Sequence, residues 1–189
     1  MKLQRAISKY LTDNVSGLHA FKDEIAFVAA GNPYPYFIVD LISTRKRNLG
    51  TGLWDRTEST EDIATQVKVT KHHQVLRFTI RAVNGQEQNG NVIVTEVTDH
   101  IDNLLSDLCR EDSVDLVDPE TEESLHIERT VFQSRSDLAP LEKRIPFVCQ
   151  QSLSYLFVEH RFKVRVVESR IDQVNIEMEG VTCLERKKI

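Results

Sequence analysis

Asp40, Glu159 and Lys163 are the residues whose types and placement come nearest to an active centre. Metal-dependent nucleases hold magnesium with acidic side chains on neighbouring strands and keep a lysine beside them. Asp40 lies in the apolar run Tyr36 to Ser43, and Glu159 and Lys163 lie in an alternating run beginning at Val158. Glu159 and Lys163 are not in the tight Glu-x-Lys spacing of such sites, and any sheet supplies similar triples. Edge exposure of Asp40, or its pairing with Arg45 or a neighbouring strand, is the more ordinary reading. His72 and His73 are adjacent, so in extended chain they point to opposite faces and make a poor metal pair; a hinge or solvent-facing role fits them better. His100 falls on the polar arc of a helix, and His160 among the apolar residues of a strand, where a hydrogen-bonded core histidine is expected. The six histidines and three cysteines are scattered. No phosphate-cradling glycine loop, His-x-x-x-His pair or Gly-x-Ser-x-Gly elbow occurs, so no catalytic, metal-binding or cofactor-binding residue stands out.

The elements that would position any site are organised around Gln74 to Arg110. From Gln74 to Val83, Leu76, Phe78, Ile80 and Ala82 alternate with Arg77, Thr79 and Arg81, the pattern of a strand with one buried face. After the polar stretch Asn84 to Gly90 the period changes. Ile93, Val94, Val97, Ile101, Leu104, Leu105 and Leu108 fall within an arc of about 120° on a helix, opposite Glu96, Asp99, Asn103, Asp107 and Arg110. A two-sided helix after a one-sided strand predicts a helix packed on a sheet, with Asn89 or Asn91 as its cap.

Around that unit, Lys2 to Thr12 reads as an amphipathic helix through Leu3, Ile7, Tyr10 and Leu11. Glu24 to Ala29 reads as a short strand, with a buried helical turn as the alternative. Gly31-Asn32-Pro33-Tyr34-Pro35 is a turn or extended crossing into the strand Tyr36 to Ser43. Thr44 to Ala64 shows no sustained period and is expected as a long loop; it holds Arg45-Lys46-Arg47 and the only tryptophan, Trp54. Thr65 to Lys71 alternates, and His72-His73 separates it from the central strand or bends one long strand. Val114 to Val117 and Leu125 to Phe132 read as strands, the latter with two semi-apolar faces, and Ser134 to Pro140 as a second loop. Val158 to Val166 and Val174 to Met178 read as a hairpin whose outer faces carry opposite charge, with Gln150 to Phe157 extending the first arm through a bulge at Phe157/Val158.

A chain of 189 residues can bury a core as one domain. A net charge of −5 and ordinary apolar content argue against both disorder and a nucleic-acid coat. No apolar run is long enough to span a bilayer and the N-terminus lacks a signal-peptide core, so a soluble protein made in a cytoplasm is expected. Cys109, Cys149 and Cys183 are odd in number and lack paired spacing, which disfavours a disulfide framework and a thiolate metal site.

This order of elements resembles the tail terminator and neck (head-tail completion) proteins of tailed bacteriophages. The resemblance rests on the N-terminal helix, on Ile25 to Val28 leading through Asn32-Pro33-Tyr34-Pro35-Tyr36 into an apolar strand, on Leu76-Arg77-Phe78-Thr79-Ile80 with its following helix, and on Val158-Glu159-His160-Arg161-Phe162-Lys163-Val164. It implies an α/β (α+β) domain spanning the chain, a twisted mixed or antiparallel sheet with the N-terminal helix and the long amphipathic helix packed on it. It further implies a hexameric ring in the virion, at the head-proximal end of the tail tube, made in the bacterial host cytoplasm. Such a ring ends tube polymerisation and meets the tube protein, the sheath and the neck or connector, while DNA passes through without specific binding. Its work is done by interface complementarity, so no enzyme activity, metal or cofactor is expected. Within this reading Arg45, Lys46, Arg47 and Trp54, together with Arg161, Lys163 and Arg165, are expected to meet neighbouring subunits or rings. A metal-dependent nuclease and a non-viral adaptor module are the alternatives.

Overall fold

The alternation from Gln74 to Val83 becomes part of a longer strand than the pattern alone marks. A computed structural model describes residues 2–31, 33–48, 56–59, 63–83, 89–110, 112–141 and 148–168. Along them run α1 (Lys2–Asn14), β1 (His19–Phe21), α2 (Glu24–Ala29), β2 (Tyr36–Asn48), β3 (Arg56–Ser59) and β4 (Ile63–Val83). Then follow α3 (Gly90–Asp107), β5 (Val114–Val117), β6 (Ser124–Arg135), β7 (Ala139–Leu141) and β8 (Val148–Glu168). The fold is mixed α/β. The sheet runs in the order β1-β2-β4-β8-β6-β5, with β3 joined to β4 and β7 to β8. β1 is parallel to β2, whereas β5 with β6, β6 with β8, β7 with β8 and β3 with β4 are antiparallel. By residue contacts the chain forms two compact units, Met1–Arg47 with Lys71–His160, and Asn48–Thr70 with Arg161–Ile189.

In the first unit, Leu76, Phe78 and Ile80 of β4 join Phe37 and Val39 of β2, Leu125 and Ile127 of β6, and Leu153, Tyr155 and Phe157 of β8 in one core. Leu3, Ile7 and Leu11 of α1 and Ile101, Leu105 and Leu108 beside and within α3 complete it. Each helix therefore buries the stripe that its sequence periodicity marks, because only those positions return to the same side every turn. Leu104 and Val97 lie at the edge of the α3 stripe and are partly buried. Asn89 caps α3, its side chain accepting from the Asn91 amide at 3.2 Å. Two side chains fasten α3 to the sheet. The Thr130 hydroxyl donates to the Leu105 carbonyl at 2.7 Å, and the Tyr155 hydroxyl bonds Asp102 and lies 2.9 Å from Ser106 Oγ. Burial, reinforced by Asp102, pushes the Tyr155 phenol up to about 12.

On the other face of β2, Tyr36 and Ile38 pack with Phe27 of α2, flanked by Phe21 and Tyr34. The Phe27 and Tyr36 rings stack with centroids 3.9 Å apart. Glu24 to Ala29 is thus helical, not a strand. Asp23, in extended conformation, accepts from the Ala26 amide at 2.8 Å, and this cap closes a first turn that a six-residue apolar run does not announce by periodicity. Gly31 at φ 82° takes the chain out of α2 through a region that side chains disfavour. Asp23→Ala is expected to cost about 0.5–2 kcal/mol, measured by chemical denaturation, and to speed amide exchange at Ala26.

Several further expectations change. β2 continues through Arg45, Lys46 and Arg47, so Thr44 to Asn48 is strand, as are Arg56–Ser59 and the start of β4. Ile42 to Arg47 are exposed; with neither face buried, no apolar period forms to reveal a strand. β4 passes unbroken through His72-His73. The second loop expected at Ser134 to Pro140 is shorter, since β6 reaches Arg135 and β7 begins at Ala139. β8 pairs residue by residue from Leu153 to His160, and the register shifts fall instead in β6, between Ile127 and Arg129 and between Phe132 and Ser134. The extra residue Glu128 exchanges the faces of β6, placing Thr130 rather than Arg129 toward α3. In the second unit, β3 pairs with β4 from Arg56↔Val67 to Ser59↔Ala64. The expected second hairpin arm, Val174 to Met178, lies outside the described residues.

Candidate assembly surface

The face of the sheet opposite α1 and α3 is studded with ion pairs that join different elements, some on adjacent strands and one, from Lys71 of β4 to Glu128 of β6, reaching across β8. Arg77 of β4 meets Asp40 of β2 at 3.1 Å. Lys71 of β4 donates to both oxygens of Glu128 at 2.8 and 2.7 Å, and His160 Nε2 of β8 lies 2.9 Å from the same carboxylate. Hydrogen bonding from Lys71, with help from His160, holds the Glu128 carboxyl below its ordinary value. His126 and His160 are directly paired across β6 and β8, with ring centroids 5.9 Å apart, and His126 Nδ1 lies 2.7 Å from Asp115. Nearer β1, Arg81 pairs with Glu24, its Nη1 donates to the Tyr36 hydroxyl at 3.0 Å, and its Nε donates to Gln150 at 3.1 Å. These contacts hold strand register; each exposed pair contributes on the order of a few tenths of a kcal/mol.

The nuclease-like triple is not assembled. Asp40 sits between Val39 and Leu41, which face the helix-covered core, so it points to the opposite side and meets Arg77. Glu159 continues the core-facing series Leu153, Tyr155 and Phe157 and is 1% exposed, accepting from Gln74 Nε2 at 2.6 Å. The two carboxylates therefore occupy opposite faces, and β4 lies between their strands. Glu159, expected on an outer face, is buried because the core face of β8 extends one pair beyond Phe157. Among the described residues no group of three or more His, Cys, Asp and Glu is arranged to hold a metal ion. A shallow depression at the start of α3, lined by Asn91, Val92, Thr95 and Glu96, brings together a single carboxylate and a single hydroxyl. Burial raises the Cys109 and Cys149 thiols, which disfavours the reactive thiolate. No described helix is long and apolar enough to cross a membrane.

Arg45, Lys46 and Arg47 stand exposed at the end of β2, with Lys46 on one face and its two neighbours on the other. Arg161 is exposed on β8; the backbone of Lys163 and Arg165 continues that strand, and Trp54 lies outside the described residues. Arg45 to Arg47 belong to the first compact unit, and Arg161, Lys163 and Arg165 to the second.

Sequence reasoning missed two features at the rims. One is the ion pair of Arg5 in α1 with Asp118 just after β5, where Nε and Nη2 donate to the two carboxylate oxygens at 2.8 and 2.6 Å. Asp118-Pro119 signals a turn, and nothing local marks so distant a partner. The other is the edge geometry. β1 covers β2 only from Tyr36 to Ile38, and among the described residues no strand pairs with the outer edge of β2 beyond that point. β5 forms the other rim and, among the described residues, pairs only with β6.

No protein-family model and no curated protein matches this chain.

Proposed function

We propose that this chain is a structural protein of a tailed-bacteriophage virion, forming a ring at the head-proximal end of the tail tube, where it ends tube polymerisation and joins the tail to the neck or connector. The observation that carries this reading is the combination of a sheet covered by α1 and α3 on one side with two rims that, among the described residues, no further strand pairs. Open strand edges readily add further strands, and a head-to-tail contact whose rotation closes yields a ring. The mildly acidic balance suits a wall past which DNA moves without adhering. Its contacts in this role are further copies of itself, six in the closed ring, the tail tube protein with the sheath, and the connector.

The test adds purified protein to polymerising tail tube protein. Expected are tubes that stop growing, each bearing a ring at one end in electron micrographs, and a free or tube-bound assembly of six copies by native mass. Unchanged tube lengths with bare ends overturn the reading.

A further inference from the structure

The two rims of the sheet differ in charge. The outer edge of β2 from Asp40 onward ends in Arg45, Lys46 and Arg47, all exposed, and presents Ile42 at 50% exposure. The β5 rim carries Asp112, Asp115 and Glu122, also exposed, and presents Val117 at 54% exposure. Nearby, Lys2 and Arg5 offset Glu123, Asp118 and Glu120, which leaves the rim acidic. Both rims belong to the same compact unit, at opposite ends of the strand order. Among the described residues each combines a strand edge without a partner strand, an exposed apolar side chain and a group of like charges, and the charges are opposite in sign.

We infer that the acidic β5 rim of one copy docks on the basic outer edge of β2 of the next, continuing the sheet between subunits. The partner is thus a second copy of this chain, selected by charge and by main-chain pairing. A sheet continued across the contact keeps its faces aligned. Asp115 and Val117, which lie on the face opposite the core, then share that face with Ile42 and Lys46, so acidic and basic side chains approach on one side of the continued sheet. The same rims also repel copies turned the wrong way, because like charges meet when β2 faces β2 or β5 faces β5. The contact is heterologous and so can close into a ring. It deepens the ring reading by naming the subunit interface, and it requires only that the chain associates with itself.

The test uses the full-length protein and two variants, one with Arg45→Glu, Lys46→Glu and Arg47→Glu, the other with Asp112→Lys and Asp115→Lys. All five positions are exposed, and circular dichroism checks that each variant is folded. Sedimentation is expected to show that either variant alone self-associates about tenfold or more weakly than the natural protein at low salt. An equimolar mixture is expected to recover association, because the natural β5 rim of one variant meets the natural β2 edge of the other and the two reversed edges are again opposite in charge. Amide exchange at residues 41–47 and 114–117 is expected to slow on assembly of the natural protein. Natural protein that remains monomeric at about 100 μM, or variants that each assemble as well as it does with only one set of reversals, overturn the contact. In the latter case the ring reading survives on another surface. Assembly that the reversals weaken but that grows as open filaments, leaving tube ends bare, keeps the contact and removes the ring reading.

Discussion

Leu105→Ala is expected to destabilise the protein by roughly 2–5 kcal/mol, seen as a lower denaturant midpoint at an unchanged slope. Leu105 has no exposed surface and lies in the core that α1, α3 and four central strands share. Its backbone carbonyl is also held by Thr130, so α3 cannot shift freely to fill the space left by the missing carbons. Leu104→Ala is the control. That side chain is only partly buried at the edge of the same stripe, and its loss is expected to be clearly smaller. Equal small losses at both positions would mean that α3 does not seal this face of the sheet.

Asp118→Asn is expected to remove much of the protein's sensitivity to acid. Asp118 has no exposed surface; besides the two bonds from Arg5, its carboxylate accepts from the Thr121 hydroxyl at 2.6 Å. Hydrogen bonding from Arg5, aided by Thr121 and the Glu120 amide, outweighs the effect of burial and holds the carboxyl far below its ordinary value. A carboxyl whose pKa is depressed by folding stabilises the native state fully above its unfolded pKa, about 3.9. That contribution fades as pH falls below this value toward the folded one. The natural protein is therefore expected to lose stability between about pH 4 and pH 2, measured as the denaturation midpoint against pH. The asparagine variant is less stable at neutral pH, since Arg5 loses its charged partner, and its profile is flatter over that interval. Asp13→Asn, which breaks only the exposed pair with Lys9, should change little. Parallel profiles for the natural protein and Asp118→Asn down to pH 2 would show that this pair does not govern acid unfolding.

Among the site residues, the sequence was informative about type more than about neighbourhood. Asp40, Glu159 and Lys163 offered the right groups for a cation, yet whether two carboxylates share a face depends on the register of each strand with its neighbours. Arg45 to Arg47 announced a basic segment, and the three stand exposed at the end of β2. That this segment borders an unpaired strand edge depends on where β1 stops, and β1 is only three residues long.

Periodicity in the chain itself was enough to determine α1, α3, the core half of β4 and the helix-on-sheet arrangement, because burial of one face forces apolar residues to recur every second or every three to four positions. Tertiary structure alone decided α2, the strand through Arg45 to Asn48, the Glu128 bulge that exchanges the faces of β6, and the joining of Arg5 to Asp118 across the fold. Their common reason is physical. Each depends on a hydrogen-bond partner or on open solvent supplied by a distant part of the chain, and no local pattern of apolar residues records such a partner.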